Sequence, residues 1–331
     1  MMKKWLALAL KIAVSGGLIW YLVGKNDMAQ VRASLAGADP MLMALAAAML
    51  LFQMVIAGFR WGAVLRAIGV EIPFWEVVRL FYIGAFFNQA LPGGTGGDAV
   101  RIYMVYKSDV GLRGAFNGVV LERVATVLAL VLLVLAGMVF FVDRLDAAGR
   151  AWVVPSIGVV ALGAFVGVGV LCALDRLPES LRQWRVVRGL GHLATDARAV
   201  FLKPVNAFKT LAWSAAGHLN VAMCAYALAM ALDLTVTAFD CIVLMPPVLL
   251  IMTIPVSVGG WGVREAAMVV AFGLVGVSKE GATVLGFLLG LAGLAVAIPG
   301  GLMWLSSRRR GRASLADMEA ELAAAGEGRP T

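Results

Sequence analysis

Residues 91–101 read LPGGTGGDAVR and residues 254–264 read IPVSVGGWGVR. Laid over each other without a gap, Leu91 meets Ile254, Pro92 meets Pro255, Gly96 and Gly97 meet Gly259 and Gly260, Val100 meets Val263, and Arg101 meets Arg264. The offset is 163 residues, close to half of the 331. Glycine is common here, at 38 residues, so a matched glycine pair carries little weight alone. A proline, two glycines and an arginine in one register point to an internal duplication. Each stretch also interrupts an apolar region, residues 74–106 and 239–277, with the residues that stop helices. Both regions are read as broken helical hairpins.

The surroundings of these breaks are apolar: 61% of residues are hydrophobic, 15% are charged, and the mean hydropathy is +0.90. Soluble domains average roughly 45–50% apolar and about 25% charged residues, so water is excluded as the main solvent. A crossing helix needs about 20 apolar residues, because the hydrocarbon is about 30 Å thick and a helix rises about 1.5 Å per residue. Residues 40–59, 124–142, 151–174, 210–232 and 281–307 meet that length. A sixth span runs from Trp5 to Val23 around Lys11. It continues through Trp20 and Tyr21 into an interfacial belt, unlike the short core of a cleaved signal peptide.

With the hairpins entering and leaving on one side, six spans put both termini on one face. That face collects Lys3, Lys4, Arg60, Arg66, the basic residues between Arg176 and Lys209, and Arg308, Arg309, Arg310 and Arg312. The opposite loops hold few cations beside Asp27, Asp39, Asp143, Asp146, Asp233, Asp240 and Glu280. The basic face is therefore cytoplasmic. The net charge of +8 reads as topology and lipid-headgroup attraction, and nucleic acid is not an expected partner. Cys172, Cys224 and Cys241 lie in apolar runs without CxxC spacing, and His192 and His218 are the two histidines. No disulfide, metal or cofactor is expected.

Each half holds three spans and one hairpin. An odd-spanning unit followed by its copy must run the opposite way through the bilayer. The predicted fold is an all-α polytopic membrane protein of two inverted-topology repeats, each three transmembrane helices plus a broken, re-entrant hairpin, with both termini cytoplasmic. Residues 1–142 form the first repeat, with its hairpin at 74–107. Residues 143–307 form the second, with an amphipathic cytoplasmic segment at 175–207 and a hairpin at 239–277. Residues 308–331 form a basic, then disordered, tail.

A helix starting just after each glycine pair offers unpaired N–H groups and a partial positive charge. Gly96, Gly97, Gly259 and Gly260 let a ligand approach that backbone, and Arg101 and Arg264 lie in the first turn or so. Each tip is suited to an anionic oxygen such as a lipid phosphate. GGTGGD is not a nucleotide loop, since no Lys-Ser/Thr follows it. The competing reading is an ion-pair lock, because Asp98 is three residues from Arg101, Glu122 adjoins Arg123, and Arg264 adjoins Glu265. Intramembrane charges cost about 2.5–3.5 kcal/mol on insertion scales, so clusters of them mark either a pathway or a lock. Asn88, one turn before Pro92, is read as satisfying backbone freed by the break. His218 and Asn220 are read as bonding across helices. The GxxxG pairs at Gly163–Gly167 and Gly286–Gly290 are read as internal helix packing.

At these residues the chain resembles the lysylphosphatidylglycerol synthase transmembrane-region family. Asn88, Leu91, Pro92, Gly96, Gly97 and Arg101 look like its first motif, Glu122 and Arg123 like its Glu-Arg pair, and Pro255, Gly259, Gly260, Gly262, Arg264 and Glu265 like its second. The resemblance covers residues 5–305 and implies a flippase-like membrane protein. Members are associated with moving lipids, including aminoacylated phosphatidylglycerol, between leaflets, and some accompany hopanoid-lipid synthesis. About 25 residues follow the last span, so a stand-alone member without the synthase domain is expected, and lipid aminoacylation is not carried over.

The expected function is a lipid flippase or transporter of the bacterial inner membrane, moving an anionic or phosphate-bearing lipid between leaflets, and not an enzyme. Candidate substrate contacts are Arg101, Arg264, Gly96, Gly97, Gly259, Gly260, Asn88, Asp98, Glu122, Arg123 and Glu265. Expected partners are lipids with anionic headgroups, with a second copy of the chain and lipid-synthesis enzymes as further candidates. The alternatives are a small-solute secondary transporter and a lipid-modifying membrane enzyme.

Overall fold

A computed structural model of the chain describes residues 36–90, 96–108, 110–145, 147–176, 185–254, 257 and 259–306. The first span, the tip at 91–95, Pro255 and the tail lie outside the described residues. Ten α-helices make up the described structure: α1 (Pro40–Ala67), α2 (Phe74–Ala90), α3 (Gly96–Tyr106), α4 (Leu112–Phe141), α5 (Ala147–Ala173), α6 (Arg185–Phe201), α7 (Pro204–Ala231), α8 (Ala238–Met252), α9 (Val263–Gly273) and α10 (Lys279–Ser306). Four helices among the described residues are long and apolar enough to cross a membrane. The fifth uninterrupted stretch is α7, which has the same 28-residue length as α1.

Local signals set the starts. Asp39 caps α1, accepting from the Met41 and Leu42 N–H groups at 2.7 and 3.3 Å, and Pro40 needs no donor at the first helical position. Thr237 and Asp240 form a reciprocal capping box on α8, which satisfies two otherwise orphaned donors. The second break turns through Gly259, Gly260 and Gly262, whose φ angles are 58°, 79° and 83°, a region that side-chain-bearing residues rarely enter.

The helices α1 to α4 recur as α7 to α10 in the same order and at similar lengths, each starting 164 to 167 residues later. Their packing has the same exchange pattern: α2 lies on α10 as α8 lies on α4, and α1 lies on α4 as α7 lies on α10. The pair α1 and α7 is antiparallel along its length. The Asp39 N–H donates to the Ala231 carbonyl at 3.0 Å, Cys224 Sγ lies 3.5 Å from the Ala46 carbonyl, and Asn220 Nδ2 donates to the Met49 carbonyl and Gln53 Oε1, both at 2.9 Å.

One apolar core joins α7 to α10 with the start of α1 and the end of α4. A second encloses the first hairpin around Trp61, Leu80, Ile83, Val100 and Val119. In contrast α5 is largely exposed, with Val159 at 70% and Leu162 at 65%, as a lipid-facing helix is. Among the described residues nothing stands within 4 Å of a Cβ placed on Gly163 or Gly167, which corrects the internal-packing reading of that GxxxG. Gly286 and Gly290 do pack internally, against Glu265 and Arg264.

The described part of the amphipathic segment is α6, which packs on the bundle through Leu193, Ala197 and Val200. Its buried Asp196 accepts from Arg113 Nη2 at 2.7 Å and Asn117 Nδ2 at 2.6 Å on α4. Arg198 grips Asp175 through two bonds, at 2.8 and 2.7 Å, and donates to the Cys172 carbonyl at the end of α5.

Candidate functional site

The first hairpin closes because two glycines touch. A Cβ on Gly97 would overlap the Gly84 carbonyl, so α2 and α3 pack backbone to backbone. Asn88 Oδ1 accepts the Gly97 N–H at 2.9 Å, occupying one of the donors at the start of α3 with a side chain of the protein itself. That close approach carries Arg101 across α2, with its stem over Gly84.

Arg101 is 1% exposed. Its guanidinium carbon lies 4.8 Å from the Trp61 ring centroid and 4.7 Å from that of Phe81. Nη2 donates to Asp98 Oδ1 at 2.6 Å and to Glu122 Oε2 at 3.1 Å. The Nε and Nη1 of Arg101 and the indole nitrogen of Trp61 are buried and have no hydrogen-bond partner among the described residues. Two aromatic faces compensate part of that loss, since a desolvated cation over a ring gains about 2 kcal/mol.

Glu122 is the hub of the cluster. Its Oε1 accepts from Arg60 Nε at 2.7 Å and its Oε2 from Arg101, while Thr126 Oγ1 lies 3.3 Å from Oε1. Arg123 does not pair with its neighbour Glu122. It reaches back to Asp98 through two bonds of 2.8 Å, because consecutive residues on a helix point about 100° apart. Three guanidiniums, from Arg60, Arg101 and Arg123, thus face two carboxylates, from Asp98 and Glu122, which leaves one positive charge in excess. The Arg123 side chain is 45% exposed and gives the cluster its open edge.

Arg60 corrects the sequence reading, which placed it among cytoplasmic loop charges. It lies on α1, seven residues from the helix end, and is buried against Glu122. Phe59 ends the uncharged run, but the uncharged residues from Trp61 to Leu65 were the available signal that the helix continues. Sequence reasoning also missed Trp61 and Phe81, which carry no periodic signature apart from the core.

The second break is arranged differently. Arg264 Nε donates to the Gly286 carbonyl at 2.8 Å, and Nη2 donates to Glu265 Oε1 at 2.8 Å. Glu265 Oε2 accepts the Gly262 N–H at 2.6 Å, so this carboxylate caps α9 and neutralises Arg264 together. A Cβ on Gly290 would overlap the Arg264 guanidinium, and the Trp261 ring lies 4.6 Å from it. The two breaks come near each other at Gln89, whose side chain lies beside the Gly259 backbone and Gly293. His218 Nε2 lies 3.1 Å from the Thr126 carbonyl, linking α7 to α4.

The family model for the lysylphosphatidylglycerol synthase TM region matches residues 8–301, which include both breaks and the Glu122–Arg123 pair. This chain belongs to that family. A UPF0104 membrane protein of Pyrococcus horikoshii is 24% identical over 204 residues, covering 60% of this chain. The chain spans 57% of that relative's length. The family, together with the apolar helices, makes this a multi-pass membrane protein.

Proposed function

We propose that the chain is a lipid flippase or lipid transporter of the bacterial inner membrane, built from two inverted halves. The observation that carries the reading is the Arg101 cluster: five charged groups from three helices, one uncompensated positive charge, and two guanidinium nitrogens without acceptors among the described residues. A surplus cation in a low-dielectric setting favours an anion such as a lipid phosphate. Arg123 is the accessible contact, and Arg101 the buried one.

The antiparallel α1–α7 pair and the exchange pattern of the remaining contacts support inversion. A two-fold axis relating α1 to α7 must lie across the helices. In the membrane that axis lies in the bilayer plane, which puts Arg101 and Arg264 in opposite halves of the bilayer. The carboxylates of Asp98, Glu122 and Glu265 are all committed to arginines, which weighs against acid–base catalysis.

The test is leaflet exchange of headgroup-labelled lipids in liposomes carrying the purified protein. Exchange is expected with phosphate-bearing lipids and lost in Arg101→Gln, with the variant's folding checked by its helical signal. Exchange no faster than in empty liposomes across phosphatidylglycerol, aminoacylated phosphatidylglycerol, polyprenyl-phosphate and hopanoid-type lipids overturns the reading.

A further inference from the structure

A cavity of about 700 Å³ lies between the N-terminal half of α5 and the helices α8 and α9, with the second half of α4 as its floor. Val134, Val160, Val248 and Val270 are typical of its walls. Ser156 is the one hydroxyl among the lining residues, and its Oγ already donates to the Trp152 carbonyl at 2.7 Å. The groove therefore offers nothing to a headgroup and everything to a hydrocarbon.

Its depth can be read from α4, where it runs from Phe141 to Val131, about 15 Å at 1.5 Å per residue. That is half of the roughly 30 Å hydrocarbon thickness, one leaflet. A one-leaflet depth matches a lipid acyl chain, which enters at the interface and ends near the bilayer centre. At its mouth Trp152 is 79% exposed, and Arg150 donates to the Val142 carbonyl at 3.1 Å and to Asp143 at 3.2 Å. An indole and a guanidinium at one level mark a membrane interface. At its inner end is Val263, the neighbour of Arg264.

We propose that this groove holds one acyl chain of a membrane lipid from the leaflet on the Trp152 side, with the headgroup at the rim beside Arg150. Only the identification of that lipid with the transported one rests on the flippase reading. The second hairpin then holds its lipid by the chain, while its arginine stays bound to Glu265.

The test uses the full chain in liposomes containing a phosphatidylglycerol with a diazirine in its acyl chain, with labelled peptides mapped by mass spectrometry. Label is expected on α8 and α9 around Val248 and Val270. Val160→Trp narrows the groove and should reduce that label several-fold, whereas Val159→Trp, one position away and not in the lining, should leave it. Both sites are on the exposed face of α5, at 45% and 70%, so neither variant disturbs the core. Label confined to the outer face of α5, or unchanged in Val160→Trp, overturns the proposal. So does displacement by excess free fatty acid, which assigns the groove to that ligand, and so does a cross-linked dimer through α5 in place of lipid label. Leaflet exchange in the same liposomes separates the two readings: groove label without exchange refutes transport alone, and exchange without groove label refutes the groove alone.

Discussion

Glu122→Gln should be the most damaging single substitution in the protein that changes no volume. The carboxylate is 1% exposed and holds Arg60 and Arg101 at once. Its removal leaves Arg60 without an acid and raises the excess charge of the cluster from one to two, with Asp98 as the remaining anion. Breaking a buried pair by removing one partner costs about 3–5 kcal/mol, because the other charge stays buried. At about 1.4 kcal/mol per factor of ten, this is a change of roughly two to four orders of magnitude in the unfolding equilibrium. The assay is reversible unfolding in lipid–detergent mixtures, followed by helical signal. Arg60→Met alone should also destabilise, by less, since buried Glu122 loses its Arg60 partner and keeps the 3.1 Å bond from Arg101. The double variant removes both charges together and should recover part of the loss, as replacing a buried pair by apolar groups is often neutral. Contacting residues couple by about 0.5–3 kcal/mol. Additive effects within about 0.5 kcal/mol would show that Arg60 and Glu122 do not act as a pair, and would refute the network.

Gly97→Ala places a methyl on the Gly84 carbonyl and should cost about 1–3 kcal/mol in the same unfolding assay, whereas Gly158→Ala on α5, with open space around it, should be neutral or stabilise by up to about 1 kcal/mol. Glu71 and Thr235 sit at matching places in the loops before α2 and α8; with the buried native cysteines left in place, Glu71→Cys and Thr235→Cys should react with an impermeant thiol reagent from opposite sides of the membrane, and labelling from one side would refute inversion. Tyr82→Phe removes the 2.7 Å bond from its hydroxyl to the Val296 carbonyl and should cost about 1 kcal/mol, measured as a lowered thermal midpoint. Arg123→Ala should cost less stability than Glu122→Gln, because its side chain is 45% exposed and Asp98 keeps Arg101 as a partner, yet it should slow leaflet exchange.

Proline and paired glycine mark where a helix must stop, and α2, α3, α8 and α9 lie on either side of those marks. Pairs separated by one or three positions were readable, as with Asp98–Arg101 and Arg264–Glu265. The hub was not, because Arg60 and Glu122 are 62 positions apart, and tertiary pairing leaves no local periodicity. The adjacent Glu122 and Arg123 even suggested a false pair: neighbours on a helix diverge, so Arg123 turned to Asp98 on α3. Arg60 was lost to the loop for a related reason. A charge at the end of an apolar run looks like a helix end, and the buried acid that keeps α1 going past it lies on another helix.

Arg101 and Arg264, in matched register along the chain, end in unequal chemistry. Arg264 meets a carboxylate next to it in sequence, and that carboxylate also caps α9 and so draws on the positive end of its own helix. An arriving anion would have to displace a tethered competitor held by three donors, the Gly262 N–H and the Nε and Nη2 of Arg264. Arg101 meets its acids from its own helix and from α4, through one of its nitrogens, with the other two facing aromatic rings. Cation–π contact is weaker and less directional than a charge-assisted hydrogen bond. An anion approaching past Arg123 therefore gains at Arg101 what it would lose at Arg264. The same order of helices occurs twice, and the placement of one acid, at the third position before the arginine or at the first after it, separates the more open cation from the closed one.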